Sequence, residues 1–425
     1  MKHPLLAIPE ARNRGEHVGV TSVCSAHPLV IEAALDLARE RDNAVLIEAT
    51  CNQVNQDGGY TGMTPAEFRR FVEDIAAKVQ YDAARIVLGG DHLGPNPWKH
   101  RSAGEALAKA EEMIRAYVEA GFSKLHLDTS MGCRGEPSAL DGECVARRAA
   151  RLAATAEKHK GELDPVYVIG TEVPVPGGAN HRLDHLETTS PEAVGETFEA
   201  HGAAFRKLGL QDAFSRVIAL VVQPGVEFGN SNVIHFDARK AQPLSAALKG
   251  LPVTVFEAHS TDFQTVEGLR GLVENGFAIL KVGPWLTFAL RQALYSLDSL
   301  ADVLDGHAPK GRLMKTMEQA MLAAPANWQE YCTGSESELW LQRHFGLSDR
   351  IRYYWPVEAA SRAVDALLER LEDRHVPVSV RNQYFAGYGL DAEPVTGRAL
   401  LTNSIKDVLR LYESATGGGV ATLGR

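Results

Sequence analysis

The sequence predicts a (β/α)8 barrel followed by a helical C-terminal extension. Eight short apolar runs rich in β-branched residues recur along roughly 280 residues, each trailed by a Gly, Pro, Asn or Ser loop and then a helix-like stretch, which fits such a barrel in count and size. The runs are nearly all-apolar rather than alternating, as strands buried on both faces of a parallel sheet must be. An open doubly wound sheet is the competing architecture, but no glycine fingerprint follows the first run.

In order, the runs are Val18–Cys24, Ala44–Ala49, Arg85–Gly89, Lys124–Leu127, Val166–Gly170, Val217–Val222, Val253–Phe256 and Ala278–Val282. Helical periodicity occupies Pro28–Arg41, Pro65–Val79, Ala103–Ala120, Glu143–Lys158, Pro191–Leu208 and Pro284–Leu297. Thr64-Pro65 and Ser190-Pro191 each place a capping hydroxyl before a proline at the first helical position. Beyond about residue 300 the strand pattern stops, so the barrel is assigned to residues 1–300 and the extension to 301–425. Helices are expected there at Leu313–Ala323, Trp328–Tyr331, Glu358–Leu371 and Leu400–Ser414, with an aromatic and basic segment at Leu347–Pro356.

The 44 Lys and Arg against 54 Asp and Glu give a net charge of −10, which argues against nucleic acid or an anionic membrane as partner. No apolar run is long enough to span a bilayer, and the N-terminus lacks the pattern of a secretory signal. Five scattered cysteines without a CxxC pair point to a reducing, cytoplasmic setting. Neither a phosphate-binding GxxxxGK[ST] loop nor a kinase signature is present.

In a barrel of this kind chemistry gathers at the carboxyl ends of the strands. There the sequence offers Cys24, Glu48, Asp91-His92, His126-Leu127-Asp128, Glu172, Gln223, Glu257-Ala258-His259-Ser260-Thr261-Asp262 and Lys281. Each alone has an ordinary structural role; polar groups at nearly every strand end point to an active site. His92, His259, Glu172 and an amide or second carboxylate, Gln223 or Glu257, form a mixed nitrogen and oxygen set. Such a set suits a divalent metal, Zn first, with Mn, Ni or Co as alternatives. Asp91 and Asp128 are acid/base candidates, with Glu257 a third, and Asp128 equally suits orienting His92. Phosphate is expected at loops seven and eight, from Ser260, Thr261, Lys281 and the backbone near Gly283, with Arg350 and Arg352 able to close over the rim. Cys24 and Cys51 have no evident base and read as fillers.

Longer blocks carry a resemblance. They include Thr21-Ser-Val-Cys-Ser-Ala-His27, Ile47-Glu-Ala-Thr-Cys-Asn-Gln-Val-Asn55, Gly58-Gly-Tyr-Thr-Gly-Met-Thr-Pro65 and Gly89-Gly-Asp-His-Leu-Gly-Pro95. Further along come Gly170-Thr-Glu-Val-Pro-Val-Pro-Gly-Gly178, Val221-Val-Gln-Pro-Gly-Val-Glu-Phe228, Glu257-Ala-His-Ser-Thr-Asp262, Leu280-Lys-Val-Gly-Pro284 and Leu347–Pro356. With these the chain resembles the GatZ/KbaZ family, the Z subunits of class II D-tagatose-1,6-bisphosphate aldolase, associated with galactitol and N-acetylgalactosamine catabolism. The resemblance implies one of three activities: D-tagatose 6-phosphate 4-epimerase, non-catalytic support of a separate aldolase chain, or tagatose-6-phosphate kinase. The missing ATP machinery disfavours the last. It also implies a phosphorylated ketohexose substrate and a homo-oligomer or an aldolase chain as partner. Catalytic class II aldolases are similar at Asp91-His92, but they place histidines where this chain has Gln223 and Glu257, with His259 two residues on.

Chemistry favours the epimerase. C4 of a 2-ketohexose is not alpha to the carbonyl, so its hydrogen is not removed by simple enolisation, and no nicotinamide fingerprint supports transient oxidation. Retro-aldol cleavage and re-addition needs a Lewis acid, one or two carboxylates and a phosphate anchor.

Overall fold

A computed structural model describes residues 2–170, 186–385 and 395–417. Eight parallel strands close into a barrel: β1 (Val20–Cys24), β2 (Val45–Thr50), β3 (Ile86–Leu93), β4 (Lys124–Leu127), β5 (Val166–Ile169), β6 (Val217–Val222), β7 (Val255–Ala258) and β8 (Phe277–Val282). Each strand pairs with its sequence neighbours, and β8 returns to β1 with Val20 opposite Ile279. Thr64 and Ser190 cap their helices through side-chain oxygens, and Thr64 forms a full capping box with Glu67. A short strand pair, Glu227–Phe228 with Val233–Ile234, stands on the loop after β6.

The N-terminus closes the bottom of the barrel. Pro4–Leu6 and the helix Ala7–Asn13 bury Leu5 and Ile8 against the inward residues Val20, Leu46, Val87, Val166, Val168, Val255 and Ile279. This apolar plug makes the lower interior a packed core rather than a pore.

The extension packs on the barrel through a series of helices. Pro284–Leu304, which follows β8, runs across position 300. Arg312–Ala323, Glu336–Phe345, Glu358–Leu371, Val378–Tyr384 and Gly397–Thr416 follow. The last of these packs against Pro28–Arg41, Val266–Glu274 and Pro284–Leu304, and Tyr412 donates from its hydroxyl to the Thr261 carbonyl at 2.7 Å. The helix expected at Trp328–Tyr331 is a turn. It follows a 3-10 segment that begins at Pro325, and it is held by Trp328 Nε1 donating to the Met321 carbonyl at 2.8 Å. No helix among the described residues is long and apolar enough to cross a membrane.

Candidate active site

Inward positions recur every second residue along a strand, and above the apolar plug they turn charged. Leu46 is followed by Glu48, Val255 by Glu257 and Ile279 by Lys281, while β4 contributes Lys124 and then His126. Lys124 Nζ lies 2.6 Å from Glu48 Oε1 and 2.7 Å from Glu257 Oε2. Lys281 Nζ lies 2.7 Å from Glu48 Oε2 and 2.8 Å from Asp91 Oδ1. Gly89 makes room for this layer, since a Cβ there would stand 2.6 Å from Glu48 Cγ. Burial opposes charge on both ammonium groups, yet the surrounding carboxylates raise both above the ordinary lysine range. Three carboxylates thus face two ammonium groups, and one negative charge is left over.

Strand β3 carries one extra residue relative to β4 between Gly90 and Leu93, a β-bulge. His92 accordingly adopts φ +48°, a conformation that non-glycine residues hold only when their surroundings impose it. Asp91 and His92 therefore both line one cavity, although adjacent residues of a regular strand face opposite ways.

Around Asp91 stand three imidazoles, His92, His126 and His259, with ring centroids 4.8–5.3 Å apart. Each ring places one nitrogen on an oxygen acceptor. His92 Nδ1 is 2.9 Å from Asp128 Oδ2, His259 Nε2 is 3.0 Å from Glu257 Oε1, and His126 Nε2 is 3.1 Å from the Gly170 carbonyl. In a neutral ring the proton then sits on the anchored nitrogen and the lone pair on the other, the way metal-ligating histidines are held. Burial lowers the pKa of His126, which keeps that ring neutral. The His126 lone pair accepts the His92 main-chain N–H at 3.2 Å and lies 3.0 Å from Asp91 Oδ1.

Burial alone would raise the Asp91 carboxyl, but the neighbouring His92 ring and the Lys281 ammonium outweigh it and hold it well below the usual carboxylate range. Asp128 is also held low: the hydrogen bond and charge of His92 overcome its burial. Glu257 is lowered by Lys124 and Lys281 against the same penalty. Asp91, His92, His126 and His259 can offer ligand atoms within 4.8 Å of one another, and together they form a buried cluster able to hold a metal ion. The donor chemistry, imidazoles with a carboxylate and surplus negative charge, fits a divalent ion.

Other expected residues stand elsewhere. Glu172 lies outside the described residues. Gln223 Oε1 accepts the backbone N–H groups of Gly225 and Val226 at 2.8 and 3.0 Å, so the oxygen named as a ligand caps a turn. Glu257 supports His259 and Lys124 from inside β7. Ser260 lines the cavity and donates to Glu227 Oε2 at 3.3 Å. Thr261 is fully buried and donates to the Lys281 carbonyl at 2.6 Å. The Lys281 ammonium serves the carboxylates of the charged layer. His126 was not singled out from the sequence because it lies within an apolar run; its signal was Lys124 and His126 two apart in a four-residue strand.

Above the cluster the cavity has a volume of about 900 Å3 and reaches from Asp91 and His92 to Arg350, Arg352 and Tyr353 of the extension. Cys24 lies on its wall, where burial pushes the thiol up to about 12.

Comparison with known proteins places this architecture. The family model described as D-tagatose-1,6-bisphosphate aldolase subunit GatZ/KbaZ-like matches residues 5–417. A D-tagatose 6-phosphate 4-epimerase of Agrobacterium fabrum is 52% identical over 415 residues, covering 96% of this chain and 97% of that protein. A D-tagatose-1,6-bisphosphate aldolase subunit GatZ of Klebsiella pneumoniae is 49% identical over 405 residues, covering 94% and 96%. The crystal structure of a probable tagatose 6 phosphate kinase from Sinorhizobium meliloti superposes with a TM-score of 0.87 at 54% identity, covering 93% of this chain and 100% of that one. The chain belongs to the GatZ/KbaZ-like family.

Proposed function

We propose that this protein interconverts D-tagatose 6-phosphate and D-fructose 6-phosphate by inverting C4 through retro-aldol cleavage and re-addition. The observation that carries the reading is the cluster of Asp91, His92, His126 and His259, of which Asp91, His92 and His259 line a cavity large enough for a sugar phosphate. The 52% identity to a 4-epimerase supports it. His92, His126 and His259 would hold the metal with Asp91 beside them; Zn is the first choice, with Mn, Ni or Co as alternatives, and Glu172 is retained as a further ligand. A bound divalent ion supplies the Lewis acidity that polarises the C2 carbonyl.

The chain's own residues do the rest. Asp91, kept ionised by Lys281 and His92, accepts the 4-hydroxyl proton as the C3–C4 bond breaks. Lys281 holds that carboxylate in place, so its proton affinity is set by a fixed ion pair. Asp128 and Glu257 fix the His92 and His259 rings. The aldehyde fragment turns its other face, and Asp91 returns the proton on re-addition. The reading places the protein in the cytoplasm, where sugar phosphates are retained.

Incubating purified protein with fructose 6-phosphate and each divalent metal tests this. Tagatose 6-phosphate should appear by NMR, and His259→Ala should lower both metal content and turnover; no product with any metal sinks the idea. The 49% identity to a GatZ subunit favours a second reading, support of a class II aldolase chain. Co-purification with such a chain and a rise in its melting temperature would identify that role.

A further inference from the structure

Resting on the sugar-phosphate reading above, we propose that the phosphate of the substrate is received by Arg350 and Arg352 of the C-terminal extension and not by the loops after β7 and β8. The usual place is closed. Asp262 Oδ1 accepts the N–H groups of Gly283 and Trp285 at 3.1 and 2.8 Å, so a carboxylate already occupies the N-terminus of the helix Pro284–Leu304. A phosphate there would find its donors taken and meet a like charge. The other donors expected there, Ser260, Thr261 and Lys281, are each bonded within the fold.

Arg350 and Arg352 line the same cavity, and among the described residues neither has a carboxylate within ion-pair distance. Arg350 donates from Nε to the Asn327 carbonyl at 2.6 Å and lies 3.6 Å from the Tyr331 ring centroid. Arg352 donates from Nη1 to the Ser348 and Asp349 carbonyls, the latter at 3.0 Å, and from Nη2 to the Tyr353 hydroxyl at 3.1 Å. A guanidinium has five N–H groups, so both side chains keep donors beyond these. Their charge is felt: burial would raise the Tyr353 hydroxyl, yet Arg352 and Arg350 lower it.

The pair is also held in advance. Asp349, at φ +47°, opens the 3-10 turn Arg350–Tyr354, and its Oδ2 accepts the Thr287 hydroxyl at 2.6 Å from the helix that follows β8. Two fixed forks suit a phosphate dianion better than flexible surface lysines do. They also answer a need of the reaction. The three-carbon aldehyde must stay bound yet present both faces, and a pinned phosphate permits rotation about C4–C5 without release.

Titration of the purified protein with inorganic phosphate, read by calorimetry in phosphate-free buffer, tests the site without turnover. Arg350→Gln and Arg352→Gln should each weaken phosphate by roughly 10- to 100-fold, the loss of a charge-assisted bond, with metal content unchanged. In turnover the loss should fall on fructose 6-phosphate and spare unphosphorylated fructose. Wild-type phosphate affinity in both variants, or its loss in Lys281→Met instead, overturns the proposal. Should the Gln variants unfold, Arg352→Lys keeps the charge without the fork: a weaker affinity supports the site and an unchanged one counts against it. Arginine-dependent phosphate binding without any epimerisation would leave the anion site standing and remove the function assigned above.

Discussion

The same eight strands build two unlike interiors. Below, Val20, Leu46, Val87, Val255 and Ile279 close on Leu5 and Ile8 in a dry apolar plug. Two residues further along β2, β7 and β8, Glu48, Glu257 and Lys281 are equally buried but charged, and β4 adds Lys124. The lower half stabilises by area removed from water. The upper half costs desolvation that ion pairing only partly offsets. A fold that keeps such a layer keeps it for its field: it fixes the charge on Asp91 and leaves a negative surplus beneath three imidazoles.

Breaking one partner should have the largest effect. Glu257→Ala takes one of the two carboxylates from the buried Lys124 and the carboxylate that anchors the buried His259 ring, and should cost about 3–5 kcal/mol in urea unfolding. Lys124→Met combined with Glu257→Met removes the charges together and leaves Glu48 with Lys281. That double variant should regain most of the lost stability while staying inactive; a double variant as unstable as the single one would contradict the contrast between the halves. In the plug, Ile8→Ala should cost about 2–4 kcal/mol and leave metal content unchanged. Asp128→Asn frees the His92 ring and should weaken metal binding by about 10- to 100-fold with little change in melting temperature.

Acid separates the halves more gently. Asp91, Asp128 and Glu257 are all held low, so the stability they add is complete above the ordinary carboxylate range near pH 4. It drains as the pH falls through their folded values. Unfolding midpoints should therefore decline below about pH 4, and less steeply in the double Met variant. The smallest effect concerns Cys24, whose thiol should resist iodoacetamide at pH 8 because its ionisation lies near 12.

Much of this was legible in the sequence. The apolar runs gave all eight strands because a parallel barrel buries both faces of each. His92 and His259 stand out in the sequence as ligand candidates and Asp91 as an acid/base candidate, since each follows an apolar run. What was not readable concerns where two runs end: apolar character stops at Gly89 and at Phe256, whereas the barrel interior accepts a polar residue if another strand supplies its partner. Thus Glu257 lies within β7 and Asp91-His92 within β3. Lys281 looked like a phosphate donor because its carboxylate partners come from β2 and β3, far away in sequence. The turn-capping role of Gln223 and the helix-capping role of Asp262 likewise depend on loops meeting in space. The helix Glu336–Phe345 was missed although its signal was present, a Ser335 and Glu338 capping box.

The final helix, Gly397–Thr416, has a bearing on how the chain reaches its folded state. Its end accepts a hydrogen bond from the Gly19 main chain at 3.1 Å, at the lip of β1, while Tyr412 bonds the loop after β7. The first strand therefore waits for residues nearly 400 positions downstream before its surroundings are complete. Contacts of such sequence separation slow folding and leave apolar strand edges open meanwhile. The strands can close once Val282 has been made, but the outer cover of β1 is complete only after residue 416 has emerged.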